Sequence, residues 1–222
     1  MLQFLYPAKN VTINNSSGHI AIVSCWTNPV KILELLQNKL EPADYNKIAC
    51  AGTLYGNGFG NIIRNLAYNP QISLVIITGR DRSNAGKDLI TFYDKGTIAV
   101  KTGFGEKRQV VDTTRVTDND IDLNKIRLTP TFLYLCNDYI SNELHETANA
   151  IKNSKASVVM SDRQVWHVDK PSEATSIPSN ISEHQIVCDD PYDGYVRAVQ
   201  KVLTFGSPTT FINKGERIEL QG

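Results

Sequence analysis

Two glycine turns concentrate the side chains with chemistry in this sequence. The first, Gly52-Thr-Leu-Tyr-Gly-Asn-Gly58, sets Gly52, Gly56 and Gly58 among Thr53, Tyr55 and Asn57. Glycine lets a backbone approach a ligand closely, and the start of the following helix supplies free N–H donors. The spacing matches neither the dinucleotide fingerprint nor the phosphate loop of nucleoside triphosphatases. Two readings stay open: a ligand turn using Tyr55 and Asn57, or a tight strand-to-helix turn that binds nothing. The second turn, Gly79-Arg-Asp-Arg-Ser-Asn-Ala-Gly86, is richer. Arg80 or Arg82 suits bidentate capture of a phosphate or carboxylate, with Asp81, Ser83 and Asn84 beside them. Its bland alternative is an Arg–Asp81 surface pair that fixes the loop.

The flanking residues read as the elements that hold these turns. Lys47–Ala51 is a strand, and Phe59–Tyr68 is a helix with Phe59, Ile62, Ile63, Leu66 and Ala67 apolar. Ser73-Leu-Val-Ile-Ile-Thr78 is the unbroken apolar run of a buried parallel strand. A helix over Lys87–Asp94 stops at Gly96. Upstream, His19–Trp26 reads as the first core strand. Asn28-Pro29 caps a helix running to about Leu40, with Ile32, Leu35, Leu36 and Leu40 on one face. Three strand–helix units in series predict a parallel sheet with right-handed crossovers. Both turns then follow adjacent strands at the sheet end where open α/β sheets bind ligands.

After Gly96 the pattern loosens. Thr97–Lys107 predicts a loop or short hairpin, Gln109–Asp112 a strand and Asp120–Leu128 a short helix. Thr131–Cys136 reads as a strand and Asn142–Asn153 as a helix. Ala156–Met160 and Gln164–Val168 read as strands and a candidate pair. The Ser-, Pro- and Thr-rich stretch Pro171–Ser182 predicts a linker. Gly194–Phe205 is amphipathic, and Glu216–Gln221 alternates like a strand. The expected fold is α/β, a three-layer Rossmann-like, mostly parallel sheet over residues 1–170. A small α+β extension follows over 171–222. The closing alternation predicts a chain cut from a longer protein.

The 222 residues carry 23 basic and 23 acidic side chains, so no charged field points to nucleic acid. No apolar run approaches the ~20 residues of a membrane span, and the first residues lack the plan of a secretory signal. Cys25, Cys50, Cys136 and Cys188 form no CxxC pair; they read as reduced, mostly buried thiols of a cytoplasmic protein. His19, His145, His167 and His184 do not cluster, so no metal site is expected. No catalytic nucleophile stands out.

The ordered series from Ile48 to Gly79 resembles the corrinoid-ligating subunit family of tetrahydromethanopterin S-methyltransferase. Its layout is a glycine turn, a helix ending in Asn69-Pro70, an apolar strand and a glycine, followed by a second turn and a helix matched at Gly86 and Gly96. Gln109–Asp118 resembles the next strand, so the likeness covers about 19–128. It implies pterin or corrinoid chemistry. The family's corrinoid-ligating histidine would fall at Ser83, and no histidine occurs between Gly79 and Gly96, so a histidine-held corrinoid is not expected. Tyr195–Gly206 with Glu216–Gln221 is similar to the opening helix and strand of thymidylate synthase catalytic domains. There Asn213-Lys-Gly-Glu-Arg217 replaces the family's phosphate-binding Arg-Thr-Gly turn, and the catalytic-cysteine region has no counterpart. Domains of the methyltransferase kind resemble the N-terminal extensions of some thymidylate synthase-like proteins.

Together these imply a ligand-binding or regulatory domain of a thymidylate synthase-like protein in one-carbon and nucleotide metabolism. One rival is a stand-alone pterin- or corrinoid-linked methyltransferase component. The other is a non-catalytic assembly domain. The expected ligand is an anionic or pterin-like small molecule such as tetrahydrofolate. Any catalysis would be one-carbon (methyl) transfer, and the expected partners are a fused C-terminal catalytic domain or a second copy of the chain.

Overall fold

The computed structural model describes residues 1–8, 10–55, 58–102, 105–136, 140–156, 162–166, 186–211 and 215–219. It divides into two compact units, Met1–Val168 and Asp169–Gly222. The first is built on a five-stranded sheet. β1 (Val11–Ile13) is followed by β2 (Ile20–Val23), then by α1 (Pro29–Gln37) and the single turn α2 (Pro42–Tyr45). β3 (Ile48–Gly52), α3 (Phe59–Tyr68), β4 (Leu74–Ile77) and α4 (Ala85–Lys95) come next. β5 (Thr97–Thr102), β6 (Gly105–Val110) and β7 (Val116–Thr117) form a separate antiparallel sheet. A 3-10 turn at Leu123–Lys125 leads to β8 (Thr131–Tyr134), and α5 (Ile140–Asn153) follows.

The strand order in the main sheet is β1-β3-β2-β4-β8. β3, β2, β4 and β8 run parallel, and only β1, at the edge, is antiparallel. The sequence pattern predicts that the strands of the two glycine turns lie side by side. They are consecutive along the chain, but β2 lies between them in the sheet. The crossover through α3 carries the chain past β2 to its other side, which neither hydrophobic pattern nor spacing encodes.

Both faces of the sheet are covered, which explains why β2 and β3 are buried throughout. Ile20 and Ile22 of β2 join Ile32, Leu33 and Leu36 of α1 and Ala148 and Ile151 of α5 in one core. Ala21 and Val23 point the other way, into a core with Ile63 and Leu66 of α3 and Leu89 and Phe92 of α4. The two-residue alternation of a strand produces this division. In β3 a register shift opposite Ile20/Ala21 interrupts it, and Ile48 and Ala51 share one core while Ala49 and Cys50 share the other. Each fully buried Ile or Leu here contributes about 1.5–3 kcal/mol.

Local signals account for the helix ends. Asn28 Oδ1 accepts from Val30 N at 2.9 Å with Pro29 in the first turn of α1. α4 ends at Gly96, where φ is +74°. Lys47 Nζ donates to the carbonyls of Ile151, Lys152 and Ser154, satisfying the end of α5. Arg64 of α3, its side chain only 3 % exposed, bonds to both Asp118 and Asp120, and Lys107 reaches Asp118 at 3.1 Å. These contacts fasten the small antiparallel sheet to α3.

Several expectations shift. The predicted strand at Gln109–Asp112 begins earlier, as β6, and Asp112 occupies a turn with φ +58°. The predicted helix over Asp120–Leu128 is only the 3-10 turn. Of the expected strands at Ala156–Met160 and Gln164–Val168, residues 157–161 and 167–168 lie outside the described residues. Gln164–Trp166 is not a strand; it packs irregularly, with Tyr6 Oη bonded to Trp166 O. Residues 171–182 also lie outside the described residues. In the second unit α6 (Pro191–Phe205) is capped by Asp190, and β9 (Ser207–Phe211) pairs antiparallel with β10 (Gly215–Glu219). The sequence pattern gives no sign of β9. Among the described residues no helix is long and apolar enough to cross a membrane.

Candidate functional site

The C-terminal ends of β3, β2, β4 and β8 gather the turns that the sequence singles out. After β2 the chain passes through Ser24, Cys25, Trp26 and Thr27, and this segment holds the turns on either side. Ser24 Oγ donates to Gly52 O at 3.1 Å and Leu54 N to Cys25 O at 3.3 Å. Toward β4, Trp26 N donates to Arg80 O and Arg80 N to Thr27 Oγ1, both at 3.1 Å. The Trp26 ring stacks on Tyr55 with centroids 4.9 Å apart, while its Nε1 donates to Ser83 Oγ at 3.2 Å. Trp26 therefore touches both turns at once.

The first turn opens on a cavity of about 360 Å³ on the α3 side of the sheet. Gly52, Thr53, Tyr55 and Gly58 line it from the turn, and Asn61 and Ile62 line it from α3. Gly52 is required by packing: a Cβ there would lie 2.8 Å from Val11 Cγ2. Tyr55 Oη accepts from Asn10 Nδ2 at 3.0 Å. Gly56 and Asn57 lie outside the described residues. The N-terminal segment also lines it through Leu2, Phe4 and Asn10, and is held by Asn65 of α3 and by Asn69, which caps that helix. Asn65 exchanges hydrogen bonds with both backbone groups of Tyr6, and Asn69 does the same with Gln3. Both asparagines are buried. Asn61 and Thr53 bring polar side chains to the cavity that bond to nothing else among the described residues.

None of Gly79–Gly86 lines this cavity. The second turn shares the sheet end with the first but lies across β2 from it. Gly79 needs its positive φ of +80°, and a Cβ would lie 2.7 Å from Ser24 O. The guanidinium groups of Arg80 and Arg82 are exposed and bond to nothing among the described residues. The Arg–Asp81 surface pair, the bland alternative for this turn, does not form. Asp81 instead turns inward: its Oδ2 accepts from Gly86 N at 3.0 Å and Lys87 N at 3.1 Å, capping α4. Asn84, at φ +53°, occupies the cap position without a side-chain bond. Arg115 joins the turn from outside, donating to Ser83 O and Asp88 Oδ2, both at 2.9 Å.

One constellation is not foreseen by the sequence pattern at all. Cys25 Sγ lies 4.0 Å from Cys136 Sγ, beyond the ends of β2 and β8. Cys25 is fully buried and its φ is +50°. Its thiol is raised far above the usual range by hydrogen bonding to Cys136 and by burial, and Asp81 adds to this. Cys136 is half-buried and held below the usual thiol value, chiefly by the Cys25 hydrogen bond, with Tyr134 assisting against burial. Two cysteines just past apolar strands are visible in the sequence. That the strands lie two apart is not.

Among the described residues no group of three or more His, Cys, Asp or Glu side chains is placed to hold a metal ion. No protein-family model matches the sequence, and the search of curated proteins found no match.

Proposed function

We propose that the first unit is a small-molecule-binding domain with a three-layer Rossmann-like plan. In this reading it belongs to a cytoplasmic thymidylate synthase-like protein of one-carbon and nucleotide metabolism. The observation that carries the ligand reading is the cavity at the first glycine turn. Its volume of about 360 Å³ falls within the ~300–1,000 Å³ of small-molecule sites, which pair apolar walls with a few placed polar groups. A flat heterocycle with a hydrogen-bonding edge, such as the pteridine of a tetrahydrofolate, suits this lining. Its ring would pack against Ile62 and Val11 while Asn61 and Thr53 meet its polar edge. A negatively charged tail leaving past Tyr55, on which Trp26 stacks, would run toward the exposed Arg80 and Arg82.

Calorimetric titration with tetrahydrofolate, a simple reduced pterin and deoxyuridine monophosphate tests this reading. Binding of the two pterins is expected, and it should be abolished in Ile62→Trp, which fills the cavity from a half-buried position. Absence of pterin binding at millimolar concentration, or binding unchanged in Ile62→Trp, would overturn it.

A further inference from the structure

We propose that Cys25 and Cys136 form a redox-active dithiol that a low-molecular-weight disulfide converts to an intramolecular disulfide, with Cys136 reacting first and Cys25 resolving. The site is independent of the ligand cavity. The geometry begins with the backbone. β2 and β8 are separated by β4, so strand spacing alone would keep residues at their ends about 9–10 Å apart. The left-handed conformation of Cys25, uncommon for a residue with a side chain, turns the chain over the end of β4. The two sulfurs are thereby brought to 4.0 Å. Backbone strain of this kind persists only where the surroundings hold it. Here Leu54 N bonds to Cys25 O and Trp26 N to Arg80 O.

Exposure sets the order of reaction. Cys25 is sealed, whereas Cys136 is partly open, so an external disulfide meets Cys136. Cys25 in turn lies under the first turn of α4. A methyl group placed on Gly86 would sit 3.3 Å from Cys25 Sγ and 3.0 Å from Asp81 Oδ2. Asp81 Oδ1, buried and without a hydrogen-bond partner, is a carboxylate oxygen beside it to receive its proton.

The steps balance. The Cys136 thiolate attacks one sulfur of RSSR, forming a mixed disulfide and releasing RS⁻, which takes a proton from water. Cys25 passes its proton to Asp81 and attacks Cys136 Sγ, breaking the mixed disulfide and releasing the second RS⁻, which also takes a proton from water. Two protein thiols are oxidised to one disulfide and one RSSR is reduced to two RSH. Closing the gap from 4.0 Å to a bond of about 2.05 Å draws the end of β8 inward over β4.

The test uses the 222-residue chain carrying Cys188→Ser, which removes the exposed thiol of the second unit. The protein is equilibrated without air across a ladder of reduced and oxidised glutathione, acid-quenched, alkylated and mapped without reduction. Reduced protein should take up three alkyl groups. Oxidised protein should take up one, on Cys50, and yield a linked Cys25–Cys136 peptide. Adding Cys25→Ser should halt the reaction at a glutathione adduct on Cys136. Three alkyl groups at every ratio, a linkage through Cys50, or wild-type residues that stop at the Cys136 adduct would overturn the proposal.

Discussion

Asp81 and its neighbours Arg80 and Arg82 divide the work of one turn, and substitution separates their roles. The arginines point to solvent with no partner among the described residues. Arg80→Ala and Arg82→Ala are therefore expected to leave stability within about 0.5 kcal/mol. If an anionic ligand tail reaches them, each loss should weaken its binding about tenfold to a hundredfold. Asp81→Ala removes the carboxylate that caps α4 and is expected to cost about 1–2 kcal/mol. Urea melts of the three variants beside calorimetric titration check this. Equal destabilisation by all three would mean that the arginines support the turn. The residue types are legible in the sequence, but their partition is not. Asp81 lies next to both arginines along the chain, and only the fold of the turn shows its carboxylate facing inward.

At the level of elements, what can be read is what depends on local pattern. The apolar run Leu74–Ile77, the Asn28-Pro29 cap and the Gly96 stop each sit where local physics puts them. The order of the strands cannot be read, because a crossover passing β2 costs the sequence no distinctive residue. The role of Asn65 and Asn69 is also hidden: polar side chains on a helix face normally signal solvent. Here they replace a strand partner for the N-terminal segment. Asn69→Ala would leave the N–H and C=O of Gln3 without these bonds. It is expected to cost about 1–3 kcal/mol and to speed amide hydrogen exchange at Gln3, whose N–H it leaves without its acceptor. Exchange unchanged at Gln3 would show that Asn69 does not hold this residue in place.

At the scale of the first unit as a whole, two groups make stability depend on pH in the same direction. Burial, with the nearby Lys47 charge, lowers the pKa of His19, whose Nε2 is buried without a hydrogen-bond partner. A histidine held neutral gives stability that is complete above its unfolded value, about 6.5. That stability is lost as pH falls from there toward the lower folded value. Burial opposes ionisation of Asp118, but hydrogen bonds from Arg64 and Lys107 more than offset it and hold the carboxyl below its ordinary value. Its contribution is complete above about 3.9 and is lost below that as pH falls through the folded value. Denaturant melts between pH 7.5 and 3, values chosen to bracket roughly both ranges, should show one decline starting near 6.5 and a second below 4. His19→Leu should remove the first decline only. A flat profile above pH 5 in the unsubstituted protein would count against the role given to His19.

Trp26 has a thermodynamic consequence of its own. Its ring is stacked on Tyr55, which lines the cavity, and its Nε1 is bonded to Ser83 in the arginine turn. A molecule entering the cavity that displaces Tyr55 must disturb the indole, and with it the loop that presents Arg80 and Arg82. Binding at two places joined by one movable group is reciprocal: whatever factor the first occupant applies to the affinity of the second, the second applies to the first. The cavity and the arginine turn would then behave as a coupled pair, and Trp26→Ala would uncouple them while leaving each with its own separate affinity.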